Sequence, residues 1–337
     1  MTNRTTMADV AREAGVSLMT VSRVVNNKDG VSAATRQRIQ TVIDRLGYRP
    51  SDIARGLVTK RTGTLGLVVP DVSNPFFSEV ARGAEHVAYA EGYNVFLCNT
   101  EEDVERELAV LKSLEEKRVD GLVLCSSRLE ESELEAAVAR HPAVVLVNRR
   151  SSGSNVSAVL IDDEAGGEMA TRHLLQSGHR AIGFLTGPLA SHSGRRRAYG
   201  HRAALAVAEL DYNPDWTQRS APTVDGGRRA ARALLTAYDE LTALFCYNDL
   251  VAVGALQACE ELSYRVPEDI TVVGCDDIPL AALITPSLTT VRGERYELGR
   301  QAMELLLRQI AGCPGTDEGG CPEVVLQPEL IVRASAP

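Results

Sequence analysis

The sequence predicts a small helical head followed by a two-lobed α/β body with doubly wound parallel sheets, and three observations carry that expectation. A tight helix-turn-helix pattern fills residues 6–26. Up to Arg61 there are eleven basic against five acidic residues, whereas the whole chain has a formal charge of −9. From Leu65 onward, short apolar runs alternate with amphipathic helical stretches, and the alternation occurs twice. At 337 residues the chain has room for the head and two further lobes.

Thr6 can cap a helix in which Asp9 sits near the positive helix end and Val10, Ala11 and Ala14 form one apolar stripe. Gly15 tolerates the left-handed conformation needed to leave it, and Ser17 caps a second helix with Val21, Val24 and Val25 inward. Two short helices joined so tightly cross steeply and present the second outward, with Leu18, Met19, Ser22 and Arg23 near its exposed N-terminal end. An ordinary helical hairpin would show the same pattern, so the third helix matters. Ser32 caps it, Ile39, Val42, Ile43 and Leu46 face inward, and Gly47 ends it. A basic head on an acidic body is the asymmetry expected when only the head meets phosphate.

Ser51–Val58 reads as one or two helical turns leading into the polar linker Thr59–Thr64. So short a helix is marginal in water, and Gly56 costs it about another 1 kcal/mol relative to Ala. The body follows as strands and helices: Gly66–Val69, Phe77–Glu91, Tyr93–Leu97, Val104–Lys117, Gly121–Leu124, Glu131–Arg140, Ala143–Val147 and Ala158–Ile161 in the first lobe. A second series comprises helix Glu164–Gln176, strand Ala181–Leu185, helices Arg197–Leu210 and Gly227–Ala237, strand Ala243–Cys246, helix Leu250–Leu262 and strand Ile270–Gly274. Leu288–Val291, Arg295–Ile310, Val324–Leu326 and Leu330–Val332 are expected to return to the first lobe. The division expected is therefore head 1–50, hinge helix and linker 51–63, and body 64–337, with lobe 1 at about 64–162 plus 292–333 and lobe 2 at about 163–291. Ligands of open α/β sheets bind beyond the carboxyl ends of the strands, so a cleft between the lobes is the expected ligand site.

Other classes find little support. The start Met1-Thr2-Asn3-Arg4 lacks the apolar segment of an export signal and no long uncharged apolar run exists, so a cytoplasmic protein is expected. Seven cysteines without a C-x-x-C pair read as reduced core residues. There is no Gly-rich phosphate loop, G-x-S-x-G or H-E-x-x-H motif, and the six histidines show no metal-ligand spacing. Neither an enzymatic activity, a cofactor nor a metal is expected. The rival reading is a solute-binding receptor of the periplasmic sugar-binding type, which needs an export signal and has no use for a basic three-helix head.

Met7-Ala8-Asp9-Val10-Ala11 through Thr20-Val21-Ser22-Arg23-Val24-Val25-Asn26, Val31-Ser32 with Thr35-Arg36, and Leu46-Gly47-Tyr48-Arg49-Pro50 resemble the LacI/GalR family of bacterial transcriptional regulators. The likeness continues over essentially the whole chain in Val69-Pro70-Asp71, Asn74-Pro75-Phe76-Phe77, Ser177-Gly178-His179-Arg180, Asn248-Asp249, Val273-Gly274-Cys275-Asp276-Asp277 and Leu288-Thr289-Thr290-Val291-Arg292. It implies a repressor whose grip on near-palindromic double-stranded operator DNA is controlled by a small, sugar-like effector held between the lobes. On that resemblance Leu18, Met19, Ser22 and Arg23 read bases in the major groove, and Ser17, Thr20, Asn26, Ser32 and Thr35 position phosphates. Arg23 suits the O6/N7 edge of guanine; Leu18 and Met19 depart from the polar pairs common there and offer thymine-methyl contacts, unless they pack into the head's own core. Ile53, Ala54 and Leu57 fall on the hinge helix, with Leu57 as a minor-groove wedge that requires a homodimer. Arg197, Asp276 and Asn248 match effector-binding positions. Asp71, Ser73, Asn74 and Phe76 are expected on the opposite wall, with Asn148 and Arg149 as further candidates. For Asp276 and Asp71 the alternative is capping and surface pairing.

Overall fold

The computed structural model describes residues 5–49, 61–152, 156–312 and 321–337, and the chain divides into two compact units, Met1–Gly63 and Thr64–Pro337. The expected hinge residues Ile53, Ala54 and Leu57 lie outside the described residues.

Among its described residues the first unit contains three helices, α1 (Met7–Ala14), α2 (Leu18–Val25) and α3 (Ala33–Leu46). Each starts as its cap residue dictates. The Asp9 backbone N–H donates to the Thr6 hydroxyl at 3.3 Å while the Asp9 carboxylate accepts from the Thr6 N–H at 3.0 Å, so two otherwise orphaned donors are satisfied reciprocally. Ser17 and Ser32 accept from the Thr20 and Thr35 N–H groups at 3.2 and 3.3 Å. Gly15, at φ +62°, turns the chain between α1 and α2. One core joins all three helices: Val10, Ala11, Ala14, Val21, Val24, Ile39, Val42, Ile43 and Tyr48.

The second unit holds two six-stranded sheets. The first contains β1 (Thr64–Val69), β2 (Asn94–Asn99), β3 (Gly121–Cys125), β4 (Val144–Val147), β5 (Ser157–Ile161) and β11 (Glu323–Leu326) in the order β11-β5-β4-β3-β1-β2, all parallel. The second contains β6 (Ile182–Thr186), β7 (Thr217–Arg219), β8 (Ala243–Cys246), β9 (Thr271–Cys275), β10 (Thr289–Arg292) and β12 (Glu329–Ile331) in the order β12-β10-β9-β8-β6-β7. It is parallel except for β12, which runs antiparallel to β10. Nearly unbroken apolar strands such as Gly121–Cys125 and Thr271–Cys275 are buried on both faces, as helix-covered parallel sheets require.

The connecting helices are α4 (Pro75–Ala90), α5 (Val104–Glu116), α6 (Glu131–Val138), α7 (Asp163–Gln176), α8 (His192–Val207), α9 (Val224–Ala237), α10 (Asp249–Glu261), α11 (Pro279–Leu283) and α12 (Arg295–Ile310). Helix α12 returns to the first lobe, where Leu298, Ala302, Met303 and Leu306 join the core of the first sheet. Two expectations need correction. Leu288–Val291 and Leu330–Val332 do not return to the first lobe: they supply β10 and β12 of the second sheet. The Ser335 hydroxyl decides this by accepting from the Thr289 N–H at 2.9 Å and donating to the Val272 carbonyl at 2.6 Å, which fastens the C-terminal segment beside β9 and β10.

Three helix pairs are held by facing glycines. A Cβ at Gly83 of α4 would lie 2.0 Å from the Tyr296 carbonyl oxygen of α12, and one at Gly299 of α12 would lie 1.9 Å from the Val80 oxygen of α4. The same reciprocity joins Gly167 with Gly200 between α7 and α8, and Gly227 with Gly254 between α9 and α10. No side chain fits these crossings without pushing two backbones apart.

Candidate functional site

In the head, helix phase separates core from contact face. Val21 and Val24 point inward, whereas Leu18 and Met19 are 53% and 67% exposed, so they do not pack into the head's core. Ser17, Arg23, Asn26 and Ser32 are also exposed, with Thr20, Ser22 and Thr35 partly so. The Asn26 amide donates to the Ser22 carbonyl at 2.8 Å, and Ser17 and Thr20 hydroxyls lie 2.9 Å apart. Arg36 staples the following loop through the Asn27 side chain at 3.2 Å and the Lys28 carbonyl at 2.8 Å. Arg23 lies against Gly30, where any Cβ would come 2.9 Å from its guanidinium. Its side chain has no ion pair or hydrogen bond among the described residues, leaving all five donors available.

In the body, a cavity of about 30 Å³ lies between the lobes, walled by Asn74, Phe76, Glu102, Ser126, Arg128 and Asn148 from the first and by Ser193, Arg197, Pro222, Tyr247, Asn248 and Asp276 from the second. Glu102, Ser126, Arg128, Asn148, Pro222, Tyr247, Asn248 and Asp276 lie just past strand ends, and Asn74, Phe76, Ser193 and Arg197 lie at or near the starts of the helices that follow. The space holds about one water molecule, so a sugar-sized ligand enters only when the lobes part or a side chain moves.

Arg197 is the hub of the second-lobe wall. Helix α8 starts at His192, capped by Ser191, earlier than the expected start at Arg197, and this places Arg197 in the second turn, facing the cleft. Its Nε donates to Asp163 Oδ1 at 2.8 Å, its Nη2 reaches Asp276 Oδ1 at 3.4 Å, and its Nη1 donates to the Tyr247 carbonyl. Asp276 has left-handed backbone at φ +119° and a buried side chain. Burial pushes its carboxyl well above the usual carboxylate range, against the opposing pull of Arg197. A carboxyl so poised can accept from or donate to a ligand hydroxyl.

Asn248 and Asn74 have structural duties as well: each caps a helix, accepting from the Val251 N–H at 2.9 Å and from the Phe76 N–H at 3.0 Å. Asn148, at φ +50°, accepts from the Ile161 N–H at 3.0 Å and lines the cavity. Asp71 and Ser73 are not among its walls. The Ser73 N–H and hydroxyl both donate to Asp71, at 2.8 and 2.7 Å, in a turn outside the cleft. Arg149 faces a separate cavity.

Sequence reasoning missed Glu102, Ser126, Arg128, Ser193 and Tyr247. The signal was present in part: Ser126 and Arg128 follow β3 as Asn148 follows β4. Arg128 is buried and paired in two-pronged fashion with Glu102, at 2.5 and 3.0 Å, while its Nη1 is buried without a partner. Among the described residues no group of three or more His, Cys, Asp or Glu side chains is arranged to hold a metal ion, and no helix is long and apolar enough to cross a membrane.

Comparison with known proteins matches both units. Residues 6–51 match the family described as bacterial regulatory proteins, lacI family, and residues 62–333 match periplasmic binding proteins and sugar binding domain of LacI family. The HTH-type transcriptional repressor PurR of Haemophilus influenzae (strain PittEE) is 38% identical over 336 residues, covering 98% of each chain. The ribose operon repressor of Halalkalibacterium halodurans is 38% identical over 313 residues, covering 92% of each. Among solved structures, the lac repressor dimer bound to operator and the anti-inducer ONPF superposes with a TM-score of 0.86 at 27% identity, covering 99% of each chain. A complex of the transcriptional regulator CelR with cellobiose gives 0.74 at 32% identity, covering 98% of this chain and 100% of that one.

Proposed function

Because the chain belongs to the LacI family of bacterial regulatory proteins, we propose that its head reads a near-palindromic operator as part of a homodimer while its cleft takes a sugar or sugar derivative. The protein is a DNA-binding transcriptional repressor controlled by a small effector, and its relatives are repressors, not enzymes. Catalysis has no part in this reading, and the site of action is the cytoplasm, at the operator.

One observation carries the effector assignment: Arg197, Asp276 and Asn248 converge on the same cavity from the second lobe, facing Phe76 and Asn148 on the first. A guanidinium, a carboxyl of raised pKa and an amide offer donors and acceptors to adjacent hydroxyls, and an aromatic edge covers a ring face. Asp71 and Ser73 drop out of this set because they engage each other. In the head, Arg23 is the reader of guanine, Leu18, Met19 and Ser22 complete the major-groove face, and Ser17, Thr20, Asn26, Ser32 and Thr35 position phosphates.

Residues 51–63 join head and body, with Ile53, Ala54 and Leu57 as the minor-groove hinge. The first lobe comprises about 64–162 with α12 and β11, and the second about 163–292 with β12. An effector that favours one lobe arrangement shifts the hinge, since only differential affinity does work on the head.

Titrating the full-length protein with operator duplex across a sugar library tests the reading. A ligand that raises the melting temperature and changes operator affinity is expected; a ligand proved to occupy the cleft but leaving operator affinity unchanged refutes the coupling. Leu57→Gly should weaken operator binding while sparing effector binding. Equal loss of both would remove the wedge.

A further inference from the structure

Beside the cleft lies a second, larger cavity of about 440 Å³. It also spans both lobes: the first supplies Leu129, Glu130, Glu131 and Arg149 to Ser152, the second Ala190, His192 and Arg195. The two cavities share loops but use alternate residues of them. Asn148 faces the cleft and Arg149 this cavity; Ser193 faces the cleft and its neighbour His192 this cavity.

The donors here are under-used. Arg149 is 6% exposed, yet among the described residues its side chain makes only two hydrogen bonds, both from Nη2 and each 3.2 Å long, to the Leu129 carbonyl and Glu131, and its buried Nε has no partner there. Arg195 donates to the Leu189 carbonyl at 2.9 Å and forms no ion pair among the described residues. The acidic groups nearby are shared among several donors, Glu131 pairing with Arg149 at 3.2 Å as well. Glu131 accepts from the Ser151 hydroxyl at 2.8 Å and from the Ser152 N–H at 2.6 Å, and Glu323 holds Arg150 through two bonds of 2.9 and 2.8 Å. Glu130 is exposed at the rim.

Arginines outnumber carboxylates on the lining, with Arg149, Arg150 and Arg195 against Glu130 and Glu131. His192 is pushed down to about 4 by burial and by Arg195 and Arg149, with Arg150 adding to them and Asp163 opposing. Arg149 itself is held below its ordinary value by burial, against the pull of Glu131, with Arg195 beside it. Arg149 keeps only a long 3.2 Å pair with Glu131, and Arg195 forms none among the described residues, so two guanidiniums and an imidazole that oppose one another's charge across a lobe boundary are only partly balanced.

We propose that this cavity binds an oxyanion, a phosphate or carboxylate group, gripped by Arg149 from the first lobe and by Arg195 and His192 from the second. The ligand is a small phosphorylated or carboxylated metabolite, and because both lobes contribute, its occupancy biases their relative arrangement as the cleft ligand does. The assignment stands apart from the cleft reading, since none of its three binding residues walls that cleft.

Inorganic phosphate, titrated into the full-length protein in chloride-free buffer, is the probe, with calorimetry and the His192 imidazole resonances as readouts. Millimolar or tighter binding is expected, together with an upward move of the His192 titration when phosphate is bound. Arg195→Gln, at an exposed side chain, should weaken phosphate by about tenfold or more, while Lys112→Gln, at an exposed cation that lines neither cavity, should leave it within about twofold. A hexose 6-phosphate compared with the neutral hexose separates the sources: gain over inorganic phosphate marks one ligand spanning both cavities, and equal affinity marks a free anion. Absence of phosphate binding overturns the proposal, as does binding that survives Arg195→Gln undiminished or leaves His192 unmoved. Failure of the cleft reading would show instead as neutral sugars that bind nowhere while phosphate still binds.

Discussion

Arg197 shows how much one side chain can organise when it is buried among partners. It ties Asp163, Asp276 and the Tyr247 carbonyl together, so Arg197→Met leaves two buried carboxyls without their cation and should cost about 3–5 kcal/mol of body stability, read by urea unfolding. A loss no larger than that of a surface arginine would mean the network is slack. His201 makes a separate, pH-linked prediction. Its Nδ1 lies 2.9 Å from the Thr171 hydroxyl, which donates its own proton to the Gly167 carbonyl at 2.8 Å, so the ring donates from Nδ1 and stays neutral between Phe184 and Tyr212. Burial pushes His201 down to about 4 from 6.5, with Arg202 adding to the effect. The unfolded chain therefore takes up a proton that the native state refuses. Native stability from this residue is full above pH 6.5 and falls as pH drops towards 4, by up to about 3 kcal/mol. His201→Phe should shrink the difference in unfolding free energy between neutral and acidic buffer; an unchanged difference would remove His201 as its source.

At the level of elements, the facing glycines set the distance between paired helices and through it the placement of the cleft. Gly299→Ala forces a methyl into the α4–α12 crossing and should destabilise the body by about 3 kcal/mol or more, measured by thermal unfolding. Gly167→Ala is more telling. Its Cβ would lie 2.2 Å from the Arg197 carbonyl oxygen, so the helix that holds the hub must shift, and ligand affinity should fall along with stability. In the head, the Thr6 and Asp9 reciprocal cap predicts that Thr6→Ala lowers the head's stability by about 1 kcal/mol without altering ligand binding to the body.

For the whole molecule, charge and fold divide the labour. Basic residues concentrate up to Arg61 in a chain whose formal charge is −9, and the cleft pairs its arginines with internal carboxylates. Operator affinity should therefore fall steeply and linearly on logarithmic axes as salt rises, because phosphate neutralisation releases counterions. Affinity for a neutral sugar should hardly respond. Parallel salt dependence of the two would contradict the separation of roles.

The head was legible because its rules are local. Caps at Thr6, Ser17 and Ser32, the turn at Gly15 and the inward stripes act within a few residues of one another, and the structure follows them. The alternation of the body was legible for the same reason, down to the strand ends beyond which Asn248 and Asp276 lie, whereas Arg197, in the second turn of α8, was marked by the family resemblance. Other features depend on contacts between residues far apart in the chain, which periodicity does not encode. Short strands such as Thr289–Arg292 and Glu329–Ile331 fit either sheet by pattern, and the Ser335 hydroxyl chose the second. Arg128 and Glu102 come from different loops and become partners only once β1, β2 and β3 are side by side. Sequence alone thus determined the helical head, the two-lobed plan and the strand ends that face the cleft, since these follow from capping, turn and hydrophobic period. The tertiary structure decided which sheet took the last strands and which polar side chains meet across the lobes, because those choices are made by hydrogen bonds and packing between distant segments.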